Sequence, residues 1–459
     1  MQDPLLIPEL REYITENKTE TLKAFFEKTT PAVGAEYLAA FDPVEVWRVI
    51  RTLQPDIGAE IFSFLEQDVQ LEIASAVKRR EIARLLSEMS ADDRVDLLKR
   101  IPEERREAIM PALAMAERED IRRLSAYREG SAGAAMTSDY ATLTAELTVA
   151  QAIERLRKEA PDKETIYYAY VLDQARHLTG FVSLKDLILA HPRAKIGSIM
   201  HGDVIHARVD DDQEEAARQI QKYDLIALPV INDEGALVGI ITHDDAIDII
   251  TQEHTEDMEK MMAIAGSHEA GVYLRTSSWT HFKNRAVWIV GLAGLEIVSG
   301  FIIHSYEDTL MSLMILALYM PMIADTGGNT GSQSATVVIR AMALGEIAPR
   351  DAARVLFKEM KIALLLSLVL GVLSWGKVMF LSQGTAIPFG FSLAKIGVAI
   401  SLALAFQVVT ATMIGAMLPL GAARMKWDPA VVASPALTTI VDISGLLIYF
   451  TTAKLLLGI

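Results

Sequence analysis

The sequence predicts a multidomain protein. It comprises an all-α superhelical N-terminal domain (residues 1–130), an α/β duplication (131–255), a connecting helix (256–279) and an α-helical membrane domain with five transmembrane helices (280–459). Three observations predict this. Apolar residues recur at helical spacing through the first 130 residues. A strand–helix phrase occurs twice between 137 and 255. Five long apolar runs follow residue 285.

In the first region VEVWRVIRTL, GAEIFSFL, EIARLLSEM and VDLLKRI each place apolar residues three or four apart, the period of one helix face. FDP, QPD and SADD separate them, and an Asp or Ser before a run supplies an N-cap. Short units of similar length bury their apolar faces by stacking on one another, hence the superhelix. The opening MQDPLLIPELREYITENK has no basic lead followed by an apolar stretch, so no cleaved signal is expected.

The duplication is carried by two phrase sets. The first is MTSDYATLTAELTVAQAIERLRK, IYYAYVLD and LTGFVSLKDLI. The second is MHGDVIHARVDDDQEEAARQIQKYDLIALPVIND and LVGIITHDDAIDII. Each half reads strand, helix, strand, turn, strand, helix. YAYVLD…LTGFVSLKDLI and ALPVIND…LVGIITHDDAID resemble a tandem CBS pair. That resemblance implies a non-catalytic module that regulates, dimerises or binds adenine nucleotides. The segment TEDMEKMMAIAGSHEAGVYLRTSSW then joins it to the membrane domain and is expected to carry a signal.

The apolar runs lie at 286–303, 310–324, 362–381, 396–420 and 429–457. Crossing a hydrocarbon core of about 30 Å takes about 20 helical residues. Arg340, Arg350, Arg354, Lys358 and Lys361 lie between the second and third runs, and Arg424 and Lys426 between the fourth and fifth. The other side holds Lys377 and Lys395, with acidic Glu307 and Asp308. The positive-inside rule predicts a multi-pass protein of the inner (plasma) membrane, with a cytosolic N-terminus and an outward C-terminus.

Residues 280–459 carry nine acids against twelve bases, so residues 1–279 hold a charge of -19 out of a total of -16. That surface repels nucleic acid and attracts cations. The absence of cysteine excludes disulfides, thiolate metal sites and cysteine nucleophiles.

Three carboxylates fall within the expected spans: Glu296, Asp442 and Asp325, the last where the second run continues into TGGNTGSQSATVV. Charge in hydrocarbon is costly, so each is a functional candidate. Counted from Pro429, Asp442 lies about 20 Å along its helix, near mid-membrane. Ser434, Thr438, Asp442, Gly445 and Tyr449 recur at steps of 4, 4, 3 and 4, predicting a polar face that lines water; a hydroxyl-held packing face is the alternative. In PMIADTGGNTGSQSAT the glycines and Asn329 predict a weakened helix. Its irregular backbone would line a wet cavity, with Asp325, Gly328, Asn329 and Gln333 along it. Gln407 and Thr410 are expected to add to that lining. Hydroxyls, amides and one carboxylate suit Mg2+, which takes octahedral oxygen ligands and keeps several waters. No His or Cys in this stretch favours a softer metal.

PMIADTGGNTGSQSATVVIRAMALGEI, GAMLPL and DPAVVASPALTTIVDISGLLIYF resemble the signature of the MgtE family of magnesium channels and transporters. The order of domains agrees along nearly the whole chain. The resemblance implies a homodimer with its pore on the two-fold axis, and it places the pore aspartate on Asp442. It places cytosolic Mg2+-sensing acids on Asp92, Asp96, Asp212, Glu214, Asp224, Asp245, Asp248, Glu256 and Asp257. Some members bind ATP in the CBS pair, which implicates Tyr168, Lys185 and Asp186 here. Asp325 stands where a small neutral residue is expected, Ser434 where some relatives carry Asn, and Lys185 where some ATP-binding members carry Arg.

Acidic groups at 92–96, 210–215 and 244–257 repel unless a counter-charge joins them. Cytosolic Mg2+ is therefore expected to draw the region together and press the helix around Trp279 against the pore. A Na+- or H+-coupled transporter of divalent cations is the alternative, with Asp325 and Glu296 as extra titratable sites. A membrane-anchored CBS enzyme is excluded by the lack of a Gly-rich cofactor loop or catalytic cluster.

Overall fold

Short helices with strong start signals build the N-terminal region. They are α1 (Leu6–Thr15), α2 (Thr19–Phe26), α3 (Pro31–Leu38), α4 (Pro43–Ile50), α5 (Pro55–Ser63), α6 (Gln67–Ala76), α7 (Arg79–Glu88), α8 (Ala91–Arg100), α9 (Glu103–Ile109) and α10 (Met115–Leu124). This computed structural model describes residues 6–160, 163–265, 276–432 and 434–459, with backbone alone at 431, 432, 434 and 435. Proline opens α3, α4 and α5, where a missing N–H costs nothing. At α4 the Asp42 amide donates to Glu45 at 3.3 Å, one arm of a capping box. The highly charged α7 buries Ile82, Leu85 and Leu86, each worth about 1.5–3 kcal/mol. Odd helices α3, α5, α7 and α9 pack in succession, as do even helices α4, α6, α8 and α10. That alternation is the two-layered superhelical stack expected from the sequence. Buried Gln70 ties the layers by donating to the carbonyls of Phe62, Ser63 and Leu65 at 2.9–3.0 Å.

The duplication folds as two copies of one three-stranded motif. The first holds β1 (Tyr140–Leu143), α11 (Val149–Glu159), β2 (Thr165–Leu172), β3 (Leu178–Ser183) and α12 (Leu184–Leu189). The second holds β4 (Ala207–Arg208), α13 (Gln213–Tyr223), β5 (Ala227–Ile231), β6 (Leu237–Thr242) and α14 (His243–Met261). In each, the first strand runs parallel to the second and the second antiparallel to the third. The copies interlock: the Tyr140 hydroxyl donates to the Leu237 carbonyl at 2.9 Å, and the Leu237 amide donates to the Arg176 carbonyl at 3.1 Å. Thr148, Ser183 and Asp212 cap α11, α12 and α13.

The chain divides into units Met1–Thr251 and Gln252–Ile459, with α14 running unbroken through the division. The predicted connecting segment therefore begins inside a helix. Ala263 ends it at φ +54, with the Ile264 amide donating to the Glu259 carbonyl at 2.9 Å. Residues 266–275 of that segment lie outside the described residues.

The second unit continues with α15 (Ser278–Leu295), α16 (Ile297–Ser305), α17 (Glu307–Ser312), α18 (Met320–Ala343), α19 (Ala352–Leu381), α20 (Leu393–Arg424) and α21 (Ser434–Leu457). Four stretches are long and apolar enough to cross a membrane: Ser278–Ser305, Pro349–Leu381, Leu393–Arg424 and Ala436–Leu457. The fifth expected span is α18, whose 24 residues reach about 36 Å but whose polar face makes it less apolar. Trp279 falls in α15, stacked on Phe282 at 5.1 Å, and not in the connecting helix as the sequence suggested.

The expected irregularity of α18 is not found: the helix is continuous from Met320 to Ala343. Its glycines serve close packing instead. A Cβ on Gly415 of α20 would stand 2.2 Å from the Gly331 carbonyl oxygen, and one on Gly327 would stand 2.4 Å from the Gln407 amide nitrogen. Tertiary contact outweighs the weak helix propensity of glycine here. Gly415→Ala should therefore cost about 1–3 kcal/mol by overpacking. A lowered melting temperature of detergent-solubilised protein reads it, and Gly421→Ala, with nothing within 4 Å, is the neutral control. Equal midpoints for the two variants would contradict the crossing.

Candidate functional site

Within the membrane unit, α18 divides into two faces. Gly327, Gly328, Gly331, Ser334 and Ala335 are buried, while Asp325, Asn329 and Gln333, at steps of four, are exposed along the other side. The Asn329 side-chain amide donates to Asp325 at 3.3 Å. A Cβ on Gly328 would stand 3.3 Å from the Thr438 methyl, so a glycine there lets α21 lie close. Asp442 is half-buried one turn beyond Thr438, and the carboxylates of Glu296 and Asp325 lie within its electrostatic reach. Glu296 sits at the junction of α15 and α16, so three helical segments bring one acid each.

The predicted polar face of α21 splits. Thr438 and Asp442 remain partly open. Gly445 is packed against Gln407, and Tyr449 is fully buried, its hydroxyl donating to the Leu316 carbonyl at 2.8 Å. The packing alternative holds for those two. The side chain of Ser434 lies outside the described residues. Because regular helix begins at Ser434 and not at Pro429, Asp442 lies eight residues into it, about 12 Å along its axis. That is a third of the way along, short of the midpoint the sequence suggested. Gln407 is fully buried: its amide donates to the Val441 carbonyl at 2.8 Å, clamping α20 to α21. It packs against Gly327 and Gly445, and its Oε1 is buried without a hydrogen-bond partner.

The sequence reading missed Glu359. It is buried in α19 and accepts a 2.8 Å hydrogen bond from Ser334, on the closed face of α18. Its neighbours Lys358 and Lys361 made it look like loop. The signal was present in Glu359, Ala363, Ser367, Ser374 and Val378, which recur at steps of 4, 4, 7 and 4 and share the buried face.

In the first unit, three elements converge through their acids. Asp92 and Asp93 lie in the first turn of α8, Glu164 precedes β2, and Asp244 and Asp245 open α14. Desolvation, then the fields of Asp245, Asp93 and Glu164, hold Asp92 well above the usual carboxylate range. Its Oδ1 is buried without a hydrogen-bond partner. Lost hydration, then Asp245, Asp244 and Asp93, raises Glu164 to about 7, although its side chain still reaches solvent. Asp245 is raised to about 6 chiefly by desolvation, against a lowering hydrogen bond from Thr242. Asp248 is raised by desolvation and then by Asp244 and Asp93. Among the described residues no three such groups close into a coordination cage. Glu164 escaped the sequence reading because only folding brings its segment beside Asp92.

The other predicted sensing acids are not in this group. Asp96 is raised by desolvation but lowered by Lys99, 3.8 Å away, and by Arg100. Asp212 caps α13 by accepting from the Glu214 amide at 2.8 Å, Glu214 pairs with Arg218, and Asp224 ends α13 at φ +51. In the second unit Glu256 pairs with Lys260 at 2.6 Å, and Asp257 is raised by desolvation and by Asp428. Of the nucleotide candidates, Tyr168 meets Phe181 edge-on at 5.3 Å, Phe181 stacks on His201 at 5.1 Å, and His201 bonds Asp186 at 3.1 Å. Lys185 is exposed.

Family profiles match in the expected order: the MgtE intracellular N domain at 29–130, CBS domains at 132–192 and 196–252, and the MgtE divalent cation transporter at 320–452. A magnesium transporter MgtE of Thermus thermophilus is 37% identical over 463 residues, covering 100% of this chain and 99% of the relative. This chain belongs to the MgtE family. An MgtE magnesium transporter of Bacillus subtilis is 33% identical over 406 residues, 88% of this chain and 87% of the relative. The crystal structure of the soluble part of a magnesium transporter matches with a TM-score of 0.52 at 31% identity, covering 54% of this chain and 97% of that one. MgtE membership makes this an integral membrane transporter and not an enzyme, as the sequence led us to expect.

Proposed function

We propose that this chain is a Mg2+ channel of the MgtE type, closed from the cytosol by the ion it conducts. The observation that carries the reading is the open polar stripe Asp325–Asn329–Gln333 beside half-buried Asp442, within the unit that holds the four long apolar helices. Lipid would leave such groups unsatisfied, so they face water or a second copy. A homodimer with this stripe and Asp442 on its axis supplies two carboxylates to a hydrated Mg2+, matching its reluctance to shed water. Thr438, Gly328 and Ser434 border the same path. The basic loops Arg340–Lys361 and Arg424–Lys426 support a cytosolic N-terminus in the plasma membrane.

Asp92, Asp93, Glu164, Asp244, Asp245 and Asp248 supply the cytosolic sensor. The orphaned Asp92 oxygen fits a divalent cation, which would neutralise the cluster and hold α8 against α14. Asp96, Asp212, Glu214, Asp224, Glu256 and Asp257 serve as further ligands in the closed dimer. ATP binds the first CBS half at Asp186, with Tyr168 and Lys185 nearby. The second reading, coupled transport, draws on the three membrane acids Glu296, Asp325 and Asp442. Flux into proteoliposomes decides: Mg2+ entry without a Na+ or proton gradient supports the channel, and entry that requires one supports the transporter.

A further inference from the structure

At the cytosolic rim of the membrane unit, Lys260 makes two ion pairs at once. Its Nζ lies 2.6 Å from Glu256, one turn back on α14, and 2.9 Å from Asp428, in the loop between α20 and α21. Asp428 is itself fixed, accepting the Ala430 amide at 2.8 Å. Asp257 stands close enough to feel both Asp428 and Lys260. Three acids thus surround one ammonium, and without it they repel. Arg424 and Lys426 lie in the same loop, but among the described ion pairs Lys260 is the one made to Asp428. Five residues on, the Ala265 amide donates to the Asn284 carbonyl of α15 at 2.9 Å, so the same stretch is anchored twice.

We propose that Lys260 is a built-in latch that docks the end of α14 on the Asp428 loop without any divalent cation. This rests on the reading of that helix as the regulatory connection. Under it, the Mg2+-free protein already holds the end of α14 on the loop before α21, and the ion adds to that hold. The pairs are partly exposed, so salt weakens them.

The test is amide hydrogen exchange of residues 256–261 in the full-length protein, in detergent and metal-free buffer. Lys260→Gln should exchange there roughly three- to ten-fold faster than wild type, as expected for losing partly exposed ion pairs that hold a helix end. Asp428→Asn, which keeps the cap on Ala430, should do the same. Lys260→Arg, which keeps both pairs, should stay near wild type. Wild-type exchange in Lys260→Gln, or exchange in Lys260→Arg as fast as in Lys260→Gln, would overturn the latch. No Mg2+ is present, so this result is independent of the channel reading, which fails on wild-type flux alone.

Discussion

Asp442→Ala is expected to abolish Mg2+ uptake while leaving folded protein in the membrane. A unit charge about 5 Å from a divalent ion, at an effective dielectric near 20, contributes about 7 kcal/mol of attraction. Losing even half of that lowers conduction on the order of a hundred-fold. The fold should tolerate the change, because Asp442 is only half-buried and the α18–α20–α21 contact is made by Gly327, Gly331, Gln407 and Val441. Asp442→Asn should also fail, since it restores size and hydrogen bonding but not charge. The measure is growth of a Mg2+-dependent strain, with membrane content checked in parallel. Wild-type rescue by Asp442→Ala would remove Asp442 from the path.

The paired substitution Asp92→Asn with Asp245→Asn is expected to leave conduction intact and to remove closure by cytosolic Mg2+. These carboxylates sit on separate elements, α8 and α14, and their mutual repulsion is what the ion relieves. The pH dependence has a definite sign. Asp245 at about 6 and Glu164 at about 7 are raised above their ordinary values, so the native arrangement binds more protons than the separated one. Its stabilisation by protons is complete below the ordinary carboxylate pKa and is lost as pH rises through about 6 to 7. Metal-free protein should therefore melt several degrees lower at pH 8 than at pH 5.5. Added Mg2+ should raise the melting temperature more at pH 8, where the cluster is fully ionised. In the double Asn variant both differences should shrink. A Mg2+ shift that is unchanged in that variant would place the sensor elsewhere.

The domain order was legible because each region writes its own period: helical spacing before residue 130, repeated LTGFVSLKDLI and LVGIITHDDAIDII phrases, and long apolar runs. Local caps such as Ser183 and Asp212 were equally visible. What escaped is whatever depends on distant partners. Glycines of α18 read as helix breakers until Gln407, Ala411 and Val441 were seen to fill the space that a Cβ would need. Tyr449 read as part of a wet face until its hydroxyl found Leu316, 133 residues away. Glu164 carries no local sign of its role, and Lys260 reads as an ordinary i,i+4 partner of Glu256 until Asp428 arrives from the loop before α21. The first-unit cluster was largely legible, since Asp92, Asp93, Asp244, Asp245 and Asp248 stand in acidic runs of the sequence while Glu164 does not.

Current through the reconstituted protein, recorded with Mg2+ varied on the side of the N-terminal region alone, separates a channel from a coupled transporter and reads closure in the same trace. Mg2+ current should flow without a coupling gradient and shut as cytosolic Mg2+ rises into the millimolar range. The Asp92–Asp245 double variant should stay open under the same rise. A current that needs a Na+ or proton gradient, or one indifferent to cytosolic Mg2+ in the wild type, would contradict a Mg2+-closed channel.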